Sequence, residues 1–445
     1  SNQLNVAGNT FGSLNMGWAG TLTLGVSNAI TSTANVTFGG SNLTNNAFTL
    51  SLNGTNQTIS GLAQNANWAV TDGQNQNITG GGVLTINQTS NATRSYGGRI
   101  TDGTTATSLV KNGNGTLMLQ NWSGINSSYS GATTINAGTL MILAGNGTSL
   151  SANSSYTVAS GAVLALGGNS TVAGPSTAII GSLAGAGTVQ NGNATTAITL
   201  TAGGDNTNTT FSGLLQNGGA AALALTKNGT GTFTLSGNNT YTGATTINAG
   251  TLALNGNLSG NTAITIAGTG VLTQGASSII SGTSTLTQNS SGTSTLAGNN
   301  TYSGTTTVSA GTLTLTGAST GGGAVNVDGG TMNIQGNLTL GSSLFNVGNA
   351  TAGVVNHSAG TVSITSGNGL VVGGIYGTQT ATSSSNGTYN LSGGTLNITP
   401  GANRGITIGW SSNSRGTFNM SGGTLVNTGT LQIGQTTDID TAAQL

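Results

Sequence analysis

The sequence predicts an all-β fold of one kind, a single-stranded parallel β-solenoid wound into an elongated rod. Three observations predict it. The first is composition: 445 residues include 78 Gly, 2 Pro and no Cys, and the remainder is rich in Thr, Asn and Ser, which are poor helix formers. The second is a period of two, as in Thr232-Phe233-Thr234-Leu235 and Thr251-Leu252-Ala253-Leu254, which is the pattern of a strand with one buried face. The third is internal repetition without a linker between the repeats, the signature of a stacked, quasi-one-dimensional body.

The repeats are of two types. Lys111 opens KNGNGTLMLQNWSGINSSYSGATTINAGTLMIL, Lys227 opens KNGTGTFTLSGNNTYTGATTINAGTLALNG, and Gln288 opens QNSSGTSTLAGNNTYSGTTTVSAGTLTLTG. Asn-Gly, Gly-Asn and Ala-Gly steps separate the strands and supply positive φ at the turns. From about residue 325 a second type takes over, built on Gly330-Thr331-Met332, Gly360-Thr361-Val362, Gly394-Thr395-Leu396 and Gly423-Thr424-Leu425. Each is followed by a short apolar strand ending in Gly. The segment GTYNLSGGTL at 387–396 reappears as GTFNMSGGTL at 416–425. The predicted organisation is therefore degenerate coils over 1–110, the long repeat over 111–324, the second repeat over 325–434 and a tail over 435–445. Coils of roughly 20 residues give on the order of 20 coils, stacked about 4.8 Å apart into a rod of roughly 100 Å. Leu, Ile, Val and Ala line the core, and Thr and Asn face outward, where like side chains can stack into hydrogen-bonded ladders.

Charge excludes several functions. Six Lys/Arg face six acids, all of them Asp, and charged residues are 3% of the chain. Such a chain has no basic footprint for nucleic acid. It lacks the three-residue period of collagen, and no apolar run approaches the roughly 20 residues of a membrane helix. No export leader is visible at Ser1, so any such leader is expected to have been removed. Without Cys there are no disulfides and no thiolate metal sites. With so few titratable groups, stability is expected to be insensitive to pH.

Units such as LTKNGTGTFTLSGNNTYTGATTINAGTLALNG resemble the strand repeat of bacterial autotransporter passenger domains. The resemblance is close over 111–143, 227–258 and 288–317, about a fifth of the chain, and 325–434 resembles a related repeat of secreted Gly/Thr-rich surface proteins. It implies a right-handed parallel β-helix displayed at the outer surface of a Gram-negative cell. The family's usual membrane β-barrel has no counterpart after Leu431, which implies either cleavage or another export route.

Glycan-active enzymes on β-helices need paired carboxylates or an acidic metal cluster. Asp72, Asp102, Asp205 and Asp328 stand apart, and the one pair, Asp438 and Asp440, sits in the tail. His357 has no carboxylate beside it in sequence. No catalytic residue, metal or cofactor is expected, and the enzyme reading ranks third. Arg94, Arg99 and Asp102 form the densest charged stretch, a hydrated loop or a side-docking patch. Tyr129, Tyr241 and Tyr302 hold equivalent places, for packing at a coil corner or for stacking on sugars.

The ends carry the sharpest expectation. An open solenoid exposes strand edges that are ordinarily blocked by charge, Pro or a cap. Neither Leu4–Val6 at one end nor Leu431–Ile433 at the other shows a block. Head-to-tail contact through such ends does not close and makes filaments. The first expectation is a non-enzymatic subunit of an extracellular fibre or surface layer. It self-associates through Leu4, Val6, Leu431, Ile433, Asp438 and Asp440, and its partners are further copies of itself, with surface glycans or matrix as additional ones. The alternative is a monomeric surface adhesin.

Overall fold

In a computed structural model of the chain, the structure describes all residues except 1, 8, 18, 40–46, 65–75, 122–125, 145–149, 168–175, 342–343, 366–368, 375–384, 400–404, 411–413, 435–441 and 445. Every element among the described residues is a β-strand. The fold is a parallel β-solenoid of about 15 turns. Two compact units divide it, one of Ser1–Phe233 with Thr240–Thr242, the other of Thr234–Asn239 with Gly243–Leu445.

Within the second unit three ladders run side by side. One joins Thr331–Ile334, Gly353–His357, Asn386–Leu391 and Arg415–Met420. Another joins Ser319–Gly322, Leu338–Leu340, Thr361–Ile364, Thr395–Ile398 and Thr424–Asn427. The third joins Val325–Val327, Phe345–Val347, Leu370–Val372, Ile406–Ile408 and Leu431–Ile433. The first unit is built likewise; one of its ladders joins Gln57–Ile59, Gly82–Asn87, Thr107–Asn112, Thr133–Ile135 and Ser155–Val158. Backbone groups of each coil are satisfied by the coils above and below, which is why adjacent coils must stay in register.

Fewer coils form than coils of 20 residues would give. The in-register step is 19 residues from Thr245 to Ile264 (264 − 245) but 36 from Leu370 to Ile406 (406 − 370). Corners lengthen while the strands keep their length, and surface loops tolerate such insertion at small entropic cost.

Side chains alternate as the period of two requires. Inward positions such as Leu252, Leu313, Val355 and Leu396 are buried, and each fully buried aliphatic side chain contributes about 1.5–3 kcal/mol. Outward Asn residues form the expected ladders. Asn356 donates to Asn333 at 3.0 Å, Asn390 to Asn356 at 2.9 Å and Asn419 to Asn390 at 2.9 Å. In the first unit Asn112 donates to Asn87 and Asn136 to Asn112, both at 2.8 Å.

The turn after each repeat lysine needs glycine. Gly113 and Gly229 have φ of 74° and 71°, and a Cβ at either would strike a carbonyl of the coil below, that of Gln88 or Gly203. A side chain there meets both a strained backbone and a neighbouring coil.

Asn356→Ala removes a donor to one rung and an acceptor from the next. At about 1 kcal/mol net per hydrogen bond, it is expected to cost about 1–2 kcal/mol, read as a lower urea midpoint. An unchanged midpoint would show that the amide ladder is ornamental.

Candidate functional site

The least expected feature is a cation inside the core. Both lysines of the chain, Lys111 and Lys227, are buried. Lys111 pairs in register with Ile86 on one side and Ile135 on the other, so its stem continues an aliphatic column. Its ammonium donates to the carbonyls of Asn112 at 2.9 Å, Gly113 at 2.7 Å and Ala137 at 3.2 Å. Lys227 donates to the carbonyls of Asn228 at 2.7 Å and Gly229 at 2.8 Å. Gln288, at the same repeat position, lies between Ile266 and Val308 and donates to the Ser290 hydroxyl at 2.9 Å and the carbonyls of Ser290 and Gly292 at 3.3 Å. All three side chains plug a turn whose carbonyls point inward and would otherwise be unsatisfied. Burial pulls Lys111 down from 10.5 to about 8. It also lowers Lys227, against the pull of Asp205 in the other direction.

This plug was legible in part. Period-two alternation in Leu109-Val110-Lys111 and Leu225-Thr226-Lys227 places each lysine on the face of the preceding leucine, but lysine is rarely buried unless paired. His357 fills the same kind of place in the second repeat. It stacks in register between Ile334 and Leu391, its Nδ1 is 3.0 Å from the Tyr389 hydroxyl and its Nε2 is 3.3 Å from the Gly360 carbonyl. Burial lowers its pKa, with the hydrogen bonds at Gly360 and Ala359 working in the other direction. It is a core side chain and not a surface base.

The sugar-stacking alternative for the repeat tyrosines is overturned. Tyr129, Tyr241 and Tyr302 are all buried. The Tyr129 hydroxyl lies 2.7 Å from Thr133 Oγ1 and 3.1 Å from the Tyr156 hydroxyl, and the Tyr302 hydroxyl lies 2.7 Å from Thr306 Oγ1. The Tyr-x-x-x-Thr spacing of the repeat therefore encodes an internal hydroxyl pair, which satisfies a phenol buried at the coil corner.

Arg94, Arg99 and Asp102 are not joined by ion pairs. Arg94 lies in register with Leu117 and packs over Gly61, where a Cβ would strike its Nε; that Nε is buried without a hydrogen bond. Arg99 is exposed. Asp102 accepts the Thr107 N–H at 2.7 Å and the Ser130 N–H at 3.0 Å on both oxygens. Burial opposes its ionisation, but these bonds outweigh burial and lower its pKa. It thereby ties the 101–107 loop to the next coil.

The residues expected at the ends are placed as follows. Leu4 is half-buried and Val6 is 65% exposed. Leu431 and Ile433 are 49% and 48% exposed, whereas their partners in the coil before, Ile406 and Ile408, are 1% and 0%. Met420, at 49% above the buried Leu391, extends the same open apolar edge, whereas Val426, at 41%, stacks on the outward Asn397. Asp72, Asp438 and Asp440 lie outside the described residues. Among the described residues no three His, Cys, Asp or Glu side chains come together to hold a metal ion, and no helix is long and apolar enough to cross a membrane.

A strand-turn-strand unit that recurs in register with Lys or Gln as its inner plug is a defined motif. The model of the passenger-associated-transport-repeat matches the chain at 109–142, 225–254, 286–314, 310–334 and 415–433, the first three of which hold Lys111, Lys227 and Gln288. The chain carries passenger-associated-transport repeats. Those matches fall on the three long units and reach into the second repeat type. The chain is also 30% identical over 209 residues to the adhesin BmaC autotransporter of Brucella suis biovar 1 (strain 1330), covering 46% of this chain and 6% of that protein. The chain thus spans a small part of the length of that relative. No solved structure matches it.

The buried plugs of the passenger repeat give stability a pH dependence that so uncharged a chain was not expected to show. Between about pH 8 and pH 10.5 the unfolded chain holds a proton on Lys111 that the folded chain has released, so stability rises with pH across that window. Lys111→Gln, which copies Gln288, is expected to keep the fold and flatten that rise. Lys111→Ala leaves buried carbonyls unpaired and a cavity, and is expected to cost more than about 3 kcal/mol. Urea unfolding at several pH values reads both; a rise unaltered in Lys111→Gln would refute the assignment.

Proposed function

We propose that this chain is part of a secreted, cell-surface passenger whose β-solenoid is an adhesive scaffold and carries no chemistry of its own. The observation that supports this most strongly is the passenger repeat itself, matched at five places on a parallel solenoid. The similarity to a protein named as an autotransporter adhesin adds the adhesive role. Placement of the titratable groups agrees: Lys111, Lys227 and His357 serve as inner plugs, and Asp102 holds loop backbone. Contact with a surface falls to the outward Thr/Asn ladders and corner loops, which carry little charge. Neutral glycan or matrix is the ligand class such a face suits.

A second, finer reading is a subunit that adds end to end into an extracellular fibre. The open apolar edge of Met420, Leu431 and Ile433 favours it, because the positions on which they stack, Leu391, Ile406 and Ile408, are buried.

Beads coated with the purified chain are expected to adhere to matrix-coated and cell-covered surfaces several-fold above uncoated beads. Adherence at background on all of them would remove the adhesive role.

A further inference from the structure

One outward face of the second unit keeps the same chemistry from coil to coil. Its first column is Thr251, Val271, Thr293, Thr312 and Thr331, and its second is Ala253, Thr273, Thr295, Thr314 and Asn333, stacked in register. Three further rungs continue both columns, through Val354 with Asn356 and Thr388 with Asn390 to Thr417 with Asn419. On each rung the residue between the two columns, from Leu252 to Phe418, is buried, so the columns themselves point outward. Every residue of the first column from Thr251 to Thr417 is Thr or Val.

That face is a lattice with two spacings. Rungs repeat about 4.8 Å apart up the stack, and the columns lie two residues apart along each strand, about 6.7 Å. β-Branched side chains are stiff at χ1, so hydroxyls and methyls keep fixed places and have little freedom left to lose on binding. The hydroxyls of Thr273, Thr293, Thr295, Thr312 and Thr331 make no hydrogen bond among the described residues, whereas Thr314 accepts from Asn333 at 3.4 Å. Neither column holds a charged residue. Arg415 stands beside the last rung, two residues before Thr417, so the stretch from Thr251 to Asn390 is neutral throughout.

We propose that this face binds ice. Water bonded tetrahedrally at an O–H···O distance of about 2.75 Å puts second-neighbour oxygens about 4.5 Å apart, with a perpendicular repeat of about 7.3 Å. Both lie near the spacings of the face. The rung mismatch of about 0.3 Å grows to about 2 Å over the seven steps from Thr251 to Thr417, less than half of the ice repeat, so no rung falls out of phase. The step between columns is taken once, and side chains absorb its difference. Thr hydroxyls and the amides of the Asn ladder hold the first layer of water, and the methyls of Thr and Val sit between them, where apolar surface restricts the water beside it. Charge complementarity agrees, since a neutral face meets a neutral crystal. A single glycan strand can match one spacing, whereas a crystal surface matches both. Ice binding goes beyond the adhesive reading and is tested apart from it.

A seeded ice crystal in a solution of the purified chain reads this directly. The chain is expected to hold the freezing point below the melting point and to facet the crystal, which serum albumin at the same concentration does not do. Thr312→Lys puts a long charged side chain in the middle of the face, and is expected to shrink that gap several-fold with urea unfolding unchanged. Thr312→Val, which copies Val271 and Val354, is expected to keep most of it. Thr339→Lys, at an outward position of the separate Leu338–Leu340 ladder, is expected to match the unmodified chain. Ice that grows as it does in albumin overturns the inference. A gap reduced equally by Thr312→Lys and Thr339→Lys, or by neither, overturns its assignment to this face. If the unmodified chain leaves ice unaltered while Thr312→Lys abolishes bead adherence to matrix, the face takes glycan, and ice binding falls with the adhesive role intact.

Discussion

Everything in this protein follows from stacking each coil on the one below at the spacing of hydrogen-bonded strands, about 4.8 Å. Every backbone group in a coil interior finds its partner in a neighbouring coil, so each residue sits directly above another with the same inward or outward sense. Like then stands on like. Stacked aliphatic side chains make a continuous core, and stacked asparagines such as Asn333, Asn356, Asn390 and Asn419 pass one hydrogen bond along the ladder. Stacked charges of one sign would repel at that distance. The near absence of Lys, Arg and acids is the compositional trace of this constraint.

The few ionisable groups that remain are used where stacking alone fails. Turns throw carbonyls toward the core, and a β-solenoid has no helix or second layer to satisfy them. Lys111, Lys227, Gln288 and His357 answer the same problem with different head groups at the end of an inward column. A lysine gives several donors on a long apolar stem that packs as an aliphatic chain would, at the cost of desolvating its charge. Glutamine supplies donors without that cost. The repeat tolerates either because what the turn requires is a donor and not a charge.

The same constraint shapes function. The chain spends many of its described polar groups on its own turns and ladders, and its outward faces there are mostly Thr and Asn. Such a surface suits extended, many-point contact more than a single pocket.

Alternation in segments such as Thr251–Leu254, the glycine turns and the repeats by themselves determined the fold class, because a period of two and a fixed turn chemistry are local properties. The passenger resemblance was carried by the same residues. Only the tertiary structure decided the coil count, since corner lengths from Leu370 to Ile406 vary without altering any strand signature. Only it showed that the repeat tyrosines face inward to Thr133 and Thr306 rather than outward to a ligand. It also decided that Lys111 and Lys227 are core residues. A lysine's preference for water is a property of the isolated side chain, whereas its burial here depends on inward-facing carbonyls, some of them, like that of Ala137, supplied by another coil. No local pattern records that partnership, because it exists only once the coils have stacked.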